Sequence, residues 1–284
     1  MRSPIVWFGG KGKKVSTLLP LIPPHKTYVE VFGGGASLLF AKKPSEVEVY
    51  NDIDSGLVNL FRVLRDEEKF EKFYRRVSLT PYSCEEFYYC KETWQSCEDD
   101  IERAYRFYIV CRQSFGANNY SWGYSISTTA GEMSTLTYRW LKAINNLPEI
   151  HKRLMQVQIE HNDFRKIIET YDTPDTFFYL DPPYLAETRR GGGYEYEMSN
   201  EDHEDLVNLL LDIKGKALLS GYTNHIYKKL EDSGWNREDY DVACHAVGKT
   251  RETGILGERA TFEKNQRRTE SVWFNYELRQ KTLF

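Results

Sequence analysis

The sequence predicts an α/β fold: a mostly parallel sheet with helices on both faces, finished by a C-terminal antiparallel hairpin and interrupted by a helical insertion. Three observations carry this. Short strand-like runs recur at Thr27–Phe32, Val47–Tyr50, Gln156–Glu160, Thr176–Leu180 and Ala217–Ser220, with helical segments after most of them, as in βα units. The last two runs, Tyr240–Val247 and Ser271–Tyr276, have no helix between them, which makes them an antiparallel pair. Between Arg65 and about Met155 the chain turns to charged helical segments around a polar, aromatic, glycine-punctuated stretch. The expected division is therefore 1–65 plus 156–284 for the sheet and 66–155 for the insertion.

Composition limits the functional reading. With 284 residues, 40% hydrophobic and 28% charged, the chain has an ordinary globular make-up, enough for one elaborated domain or two small ones. No apolar stretch is long enough to span a bilayer and no signal peptide precedes Gly9-Gly10-Lys11, so a cytoplasmic protein without a membrane partner is expected. Cys84, Cys90, Cys97, Cys111 and Cys244 are odd in number and form no C-x-x-C pair, which supports neither a zinc site nor a disulfide framework. His203 and His245 lack partners at ligand spacing, and no metal is expected. The net charge of −4 argues against indiscriminate polyanion binding, while a locally basic face is compatible with it.

In chain order, Trp7-Phe8-Gly9-Gly10-Lys11-Gly12-Lys13-Lys14 is a glycine-rich turn leading into a helix-like stretch from Val15 to Ile22. Glycines admit close backbone approach, and a lysine there can meet a carboxylate or a phosphate. Thr27–Phe32 then breaks into Gly33-Gly34-Gly35-Ala36-Ser37 and a helical run from Leu38 to Lys42; a nucleotide-like ligand can lie against bare backbone at such a turn. The next strand ends in Asn51-Asp52-Ile53-Asp54. Asp52 falls about 20 residues beyond the first turn, where a carboxylate grips the ribose hydroxyls of an adenosine-type cofactor. A dinucleotide is disfavoured because G-x-G-x-x-G is absent, Ala36 and Leu38 standing where its later glycines would help.

Thr176–Leu180 is short, apolar and aromatic, the character of a buried strand. It ends in Asp181-Pro182-Pro183-Tyr184. The prolines supply no backbone donors and fix φ, so pairing stops there and Asp181 and Tyr184 stand at the carboxyl end of a strand, the edge where open α/β sheets bind ligands. A carboxylate and a flat aromatic on a stiff backbone suit a planar substrate with an N–H donor, such as a nucleobase amine. Asp181 would accept from the amine, Tyr184 would stack on the ring, and a proline carbonyl would accept the second amine hydrogen.

Asp-Pro-Pro-Tyr resembles the catalytic motif of the amino-methyltransferases. Trp7–Lys11, Tyr28–Ser37, Tyr50–Asp54, Asn162-Asp163-Phe164, Asp181–Tyr184 and Thr269–Tyr276 occur in the order seen in Dam-like N6-adenine DNA methyltransferases, a resemblance spanning nearly the whole chain. It implies a Rossmann-like SAM-methyltransferase fold, S-adenosylmethionine (SAM) as cofactor and double-stranded DNA as partner. It implies catalytic roles for Asp181, Pro182, Pro183 and Tyr184. It also implies a cofactor site of Trp7, Lys11, Glu30, Phe32, Gly33, Gly34, Gly35, Ala36, Ser37, Asp52, Ile53, Asp163, Phe164 and Asp181. In that site Lys11 and Glu30 would lie near the methionine moiety, Asp52 at the ribose, and Asp163 and Phe164 near the cofactor adenine. A monomer is expected, with a cognate restriction enzyme as a candidate partner.

By the same resemblance the insertion is a target-recognition domain. Its stretch Ser114–Ser125 reads as a loop or hairpin presenting aromatics and amides, with Asn118, Asn119, Tyr120 and Trp122 as candidate base or phosphate contacts. Arg106 and Arg112 are phosphate contacts or the polar face of a helix. Arg189 and Arg190 are further DNA contacts in Ala186–Met198, a glycine-rich candidate lid. The chain departs from the GATC-methylating members: Val6 stands where they carry lysine, and their Asn-Gly-Leu and Phe-Asn-Val-Pro signatures are missing, which counts against GATC as its target. Two other readings stay open. An N4-cytosine methyltransferase would use the same pocket, and a catalytically silent DNA-binding regulator would lack the chemistry that intact Asp181, Tyr184 and Asp52 suggest.

Overall fold

In the computed structural model, which describes residues 1–126, 129–188, 195–243 and 267–278, the apolar runs pair into one seven-stranded sheet. Its strands are β1 (Thr27–Glu30), β2 (Val47–Asn51), β5 (Gln158–Glu160), β6 (Thr176–Leu180), β7 (Lys216–Gly221), β8 (Asn236–Ala243) and β9 (Arg267–Phe274). A separate two-stranded ribbon of β3 (Thr129–Ala130) and β4 (Met133–Ser134) lies within the insertion. The sheet order is β5-β2-β1-β6-β7-β9-β8. The first five are parallel, and β9 runs antiparallel between β7 and β8. The expected architecture of parallel core and antiparallel C-terminal pair is thus observed.

Several boundaries differ from expectation: β9 runs Arg267–Phe274 rather than Ser271–Tyr276, its first residues being polar, and two further cases have a physical reason of their own. β8 starts at Asn236 rather than Tyr240, because Asn236-Arg237-Glu238-Asp239 is polar, as suits an edge strand, and an apolar-run criterion passes over it. The helix expected from Val15 to Ile22 stops after Leu18 and continues as a 3₁₀ turn over Leu19–Leu21, which contains Pro20, a residue without a backbone donor.

Alternation divides the side chains between two faces. On β6, Phe177 and Tyr179 join one apolar cluster and Phe178 and Leu180 the other; on β9, Val272 and Phe274 go one way and Trp273 the other. The cluster on one side is completed by α9 (Phe164–Tyr171), α10 (Asn200–Asp212) and α11 (Lys228–Asp232) through Ile167, Leu206, Leu210 and Leu230. On the other side α3 (Ser55–Arg65) packs with the helices of residues 66–155, and Leu60, Phe61, Phe73, Phe107 and Trp140 form one continuous cluster with that sheet face. Chain direction across the sheet reverses between β1 and β6, so their carboxyl ends flank a topological switch point, where such sheets hold ligands. No helix among the described residues is long and apolar enough to cross a membrane.

Candidate active site

The backbone around the switch point is held by side chains at the strand exits. The Asn51 amide donates to the carbonyls of Val31 (2.9 Å) and Asn162 (3.0 Å), and its Oδ1 accepts from the Asn162 N–H (2.9 Å), tying three strand ends together. A Cβ on Gly33 would sit 2.1 Å from a ring carbon of Tyr50, so glycine is required for that ring to lie under the turn. The Tyr50 hydroxyl then donates to the Gly34 carbonyl (2.9 Å), and the Gly34 N–H donates to Asp52 Oδ2 (2.7 Å). Asp52 Oδ1 accepts from the Asp54 N–H (2.8 Å). Ala36 adopts a left-handed conformation at φ +53°, tolerable but costly for a residue with a Cβ, which is why glycine is favoured at such a turn.

Beside this turn lies a cleft of about 450 Å³, within the range of small-molecule sites. Every residue the sequence assigned to the cofactor lines it: Trp7, Lys11, Glu30, Phe32, Gly33 through Ser37, Asp52, Ile53, Asp163, Phe164 and Asp181. The geometry suits SAM. Phe32 and Phe164 meet at 5.6 Å and, with Ile53 left 47% exposed, line an apolar slot for a flat base. Asp52 stands where hydroxyls can donate to it. Asp54 caps α3 by accepting from the Gly56 and Leu57 N–H groups, but its buried Oδ2 has no partner among the described residues, and burial pushes its carboxyl up to about 6. Glu30 is buried, accepts from the Leu39 N–H (3.1 Å) and the Tyr28 hydroxyl (3.2 Å), and is pushed up to about 8 chiefly by burial, with the Asp181 charge adding to it. Glu195–Met198, the described end of the candidate lid, also line the cleft, and Gln95 of the insertion donates to Glu195 at 3.0 Å.

Of the four catalytic candidates, Asp181 and Pro183 line the cleft, whereas Pro182 and Tyr184 are buried beside it. The Lys11 ammonium contacts Asp181 Oδ1 at 2.5 Å and lies 4.9 Å over the Tyr184 ring. Burial alone would lower the Lys11 ammonium, but Asp181, Tyr184 and Tyr179 outweigh it and hold the group well above the ordinary lysine value. The Tyr184 ring meets Tyr222 edge-on at 4.9 Å, and its hydroxyl donates to Glu270 Oε1 at 2.7 Å. Lys14 pairs with the other Glu270 oxygen; burial, helped by Lys11, brings it down to about 8.

Glu270 and Asn51 lie within the family-like stretches Thr269–Tyr276 and Tyr50–Asp54, but the sequence assigns neither a role in the site. A signal for Glu270 was present: in Glu270-Ser271-Val272-Trp273-Phe274 the acid shares the alternation of Val272 and Phe274, so a strand reading puts a carboxylate on a core-facing row. Asn51 carried no such signal, since an asparagine at a strand end is commonplace in turns.

The insertion stretch folds back on itself through a bridge between Ser114 and Trp122. The Asn118 side-chain Oδ1 accepts from the N–H groups of Tyr120 (2.9 Å) and Ser121 (3.2 Å), so its acceptor is used within the loop. Asn119 is left-handed at φ +57°, and Trp122 packs on Tyr82 at 5.4 Å. Arg112 donates to the Arg139 carbonyl and Arg106 to Glu102, whereas Tyr120 stands 74% exposed. Phe115, which the sequence did not single out, is also exposed. Arg189 and Arg190 lie outside the described residues.

A parallel sheet with a cleft of about 450 Å³ at its switch point, and Asp-Pro-Pro-Tyr on the adjoining strand tip, defines the class: a methyltransferase acting on nucleobase amines. The chain belongs to the D12 class N6 adenine-specific DNA methyltransferases, whose family profile matches residues 7–243. It is 28% identical over 244 residues to Type II methyltransferase M.CviBI of Paramecium bursaria Chlorella virus NC1A, covering 85% of this chain and 90% of that enzyme. It is 26% identical to Type II methyltransferase M.MjaIII of Methanocaldococcus jannaschii, covering 81% of this chain and 87% of that one. Type II methyltransferase M1.LlaDCHI of Lactococcus lactis subsp. cremoris is 24% identical, with 87% and 88% covered. The reaction is methyl transfer from SAM to the N6 amine of adenine in DNA, at specific sites, and the adenine-specific family sets this above cytosine N4.

Proposed function

We propose that Asp181 is the acceptor that holds the target amine, with the Pro182 carbonyl taking its second hydrogen, and that the insertion 66–155 selects the site. An adenine in duplex DNA must be flipped out at a cost of a few kcal/mol before its amine can be reached. Asp181 and the proline carbonyl would then fix the amine plane and direct the nitrogen lone pair, which is otherwise delocalised into the ring, toward the cofactor. Bound SAM supplies an electrophilic methyl group. Asp52 would accept from the ribose, Glu30 and Lys11 would border the methionine end, and Phe32 and Phe164 would flank the adenine. Positioning supplies most of the rate enhancement. A cytoplasmic monomer with a cognate restriction enzyme as partner is part of the same proposal, and the type II methyltransferase names of all three relatives support the restriction partner.

What supports this assignment above all is the location of Asp181, at the tip of β6 and on the wall of the cofactor cleft. Asp181→Ala should cut methylation by roughly 100-fold or more while SAM affinity, measured by calorimetry, changes little. Turnover close to that of the unaltered protein would sink the mechanism. Single-molecule sequencing of DNA from a host expressing the chain would identify the target sequence.

A further inference from the structure

We infer that Glu270 is a positioning residue for methyl transfer: it gives the Lys11 ammonium a second anionic resting place, so that Asp181 can be released to the adenine amine. Glu270 is 7% exposed, and a carboxylate buried that deeply persists only if paired and hydrogen-bonded. Two of its three partners, Lys11 and Tyr184, are candidate site residues. Oε1 accepts from the Tyr184 hydroxyl at 2.7 Å and lies 3.5 Å from Lys11 Nζ, and Oε2 pairs with Lys14. Carboxylates and ammoniums therefore alternate along a chain of Asp181, Lys11, Glu270 and Lys14.

This chain matters because Lys11 already holds Asp181 Oδ1 at 2.5 Å. An adenine amine that needs the same carboxylate competes with an ammonium, and an ammonium driven off Asp181 into a buried site would be left uncompensated. Glu270 removes that difficulty, since a short swing takes Lys11 from one carboxylate to the other without breaking its ion pairing. The same carboxylate holds the Tyr184 hydroxyl, so the ring beside Asp181 stays in one orientation while the lysine moves.

The inference rests on the reading of Asp181 as amine acceptor. Glu270→Gln keeps an oxygen acceptor for Tyr184 and nearly the same shape, and removes only the charge. Turnover at saturating SAM and DNA should fall roughly 10- to 100-fold, with both dissociation constants unchanged within about twofold. In a Lys11→Met background, where no ammonium competes for Asp181, adding Glu270→Gln should cost no further turnover, the loss of the Lys14 pair showing in stability alone, so the double-mutant cycle in turnover is strongly non-additive. Additive losses, normal turnover in Glu270→Gln, or a matching loss of SAM affinity would each overturn the inference. If Glu270→Gln does not fold, the same cycle is measured with Glu270→Asp, which keeps the charge but shortens its reach, and additive losses there would overturn it equally. An Asp181→Ala protein that still methylates removes the underlying reading; an inactive Asp181→Ala beside a normal Glu270→Gln removes this inference alone.

Discussion

A buried glutamate whose carboxyl is pushed up to about 8 binds its proton more tightly when folded than when unfolded, where a value near 4.5 applies. The stability this represents is fully present below about pH 4.5 and is lost as the pH rises through 8, because folding must then bury a charge. Glu30→Gln cannot ionise. Urea melts of both proteins at several pH values should therefore show the unaltered protein falling behind the variant between pH 5 and 9, and a constant difference over that range would refute the assignment. Residue chemistry of this kind was only half legible beforehand. Asp52 and Asp181 could be read because each follows a strand-like run, and Glu30 only through the family resemblance, but their hydrogen-bond partners come from residues distant in sequence, as with Gly34 and Asp52, and no local pattern encodes them. Nor could the sequence tell that Tyr184 would turn its hydroxyl onto Glu270, 86 positions away.

At the scale of elements, the glycine turn after β1 combines strict packing with ligand contact. Gly33→Ala would force a methyl group into the Tyr50 ring and should destabilise the protein by about 1–3 kcal/mol, with SAM affinity falling alongside; an unchanged denaturant midpoint would show that the turn can yield. The insertion loop separates two effects that its composition had merged. Asn118→Ala removes the acceptor for two backbone N–H groups, so it should loosen the loop and weaken methylation alike on every DNA sequence. Tyr120→Ala leaves the loop intact and removes an exposed ring, so its effect should depend on the DNA sequence offered. Methylation assays on matched and single-substituted sites distinguish these outcomes, and equal behaviour of the two variants would move recognition away from the loop. Strand and helix order was legible because short apolar runs are local signals; the polar first residues of β8 and β9 carry no such signal.

At the scale of the whole molecule, a chain of net charge −4 must bind an acidic polymer. Part of the acidity is used internally: in the run Glu98-Asp99-Asp100, Asp99 caps α6 (Asp100–Gln113) and Asp100 pairs with Lys69. Binding should weaken with salt. Arg189→Ala and Arg190→Ala should each lower the slope of log affinity against log salt by about one unit, whatever the DNA sequence. A slope unmoved by either substitution, read from fluorescence anisotropy titrations, would assign the phosphate contacts to other cations.

The ion pair between Lys14 and Glu270 joins positions 256 residues apart. It has a consequence for biosynthesis. A chain emerging from the ribosome presents its cofactor turn, its catalytic aspartate and its insertion well before the strand that carries Glu270 leaves the exit tunnel. Until β9 threads between β7 and β8, Lys11 and Lys14 have no carboxylate from that strand to bind. The enzyme should thus be unable to mark DNA until the strand that carries Glu270 has left the tunnel and joined the sheet.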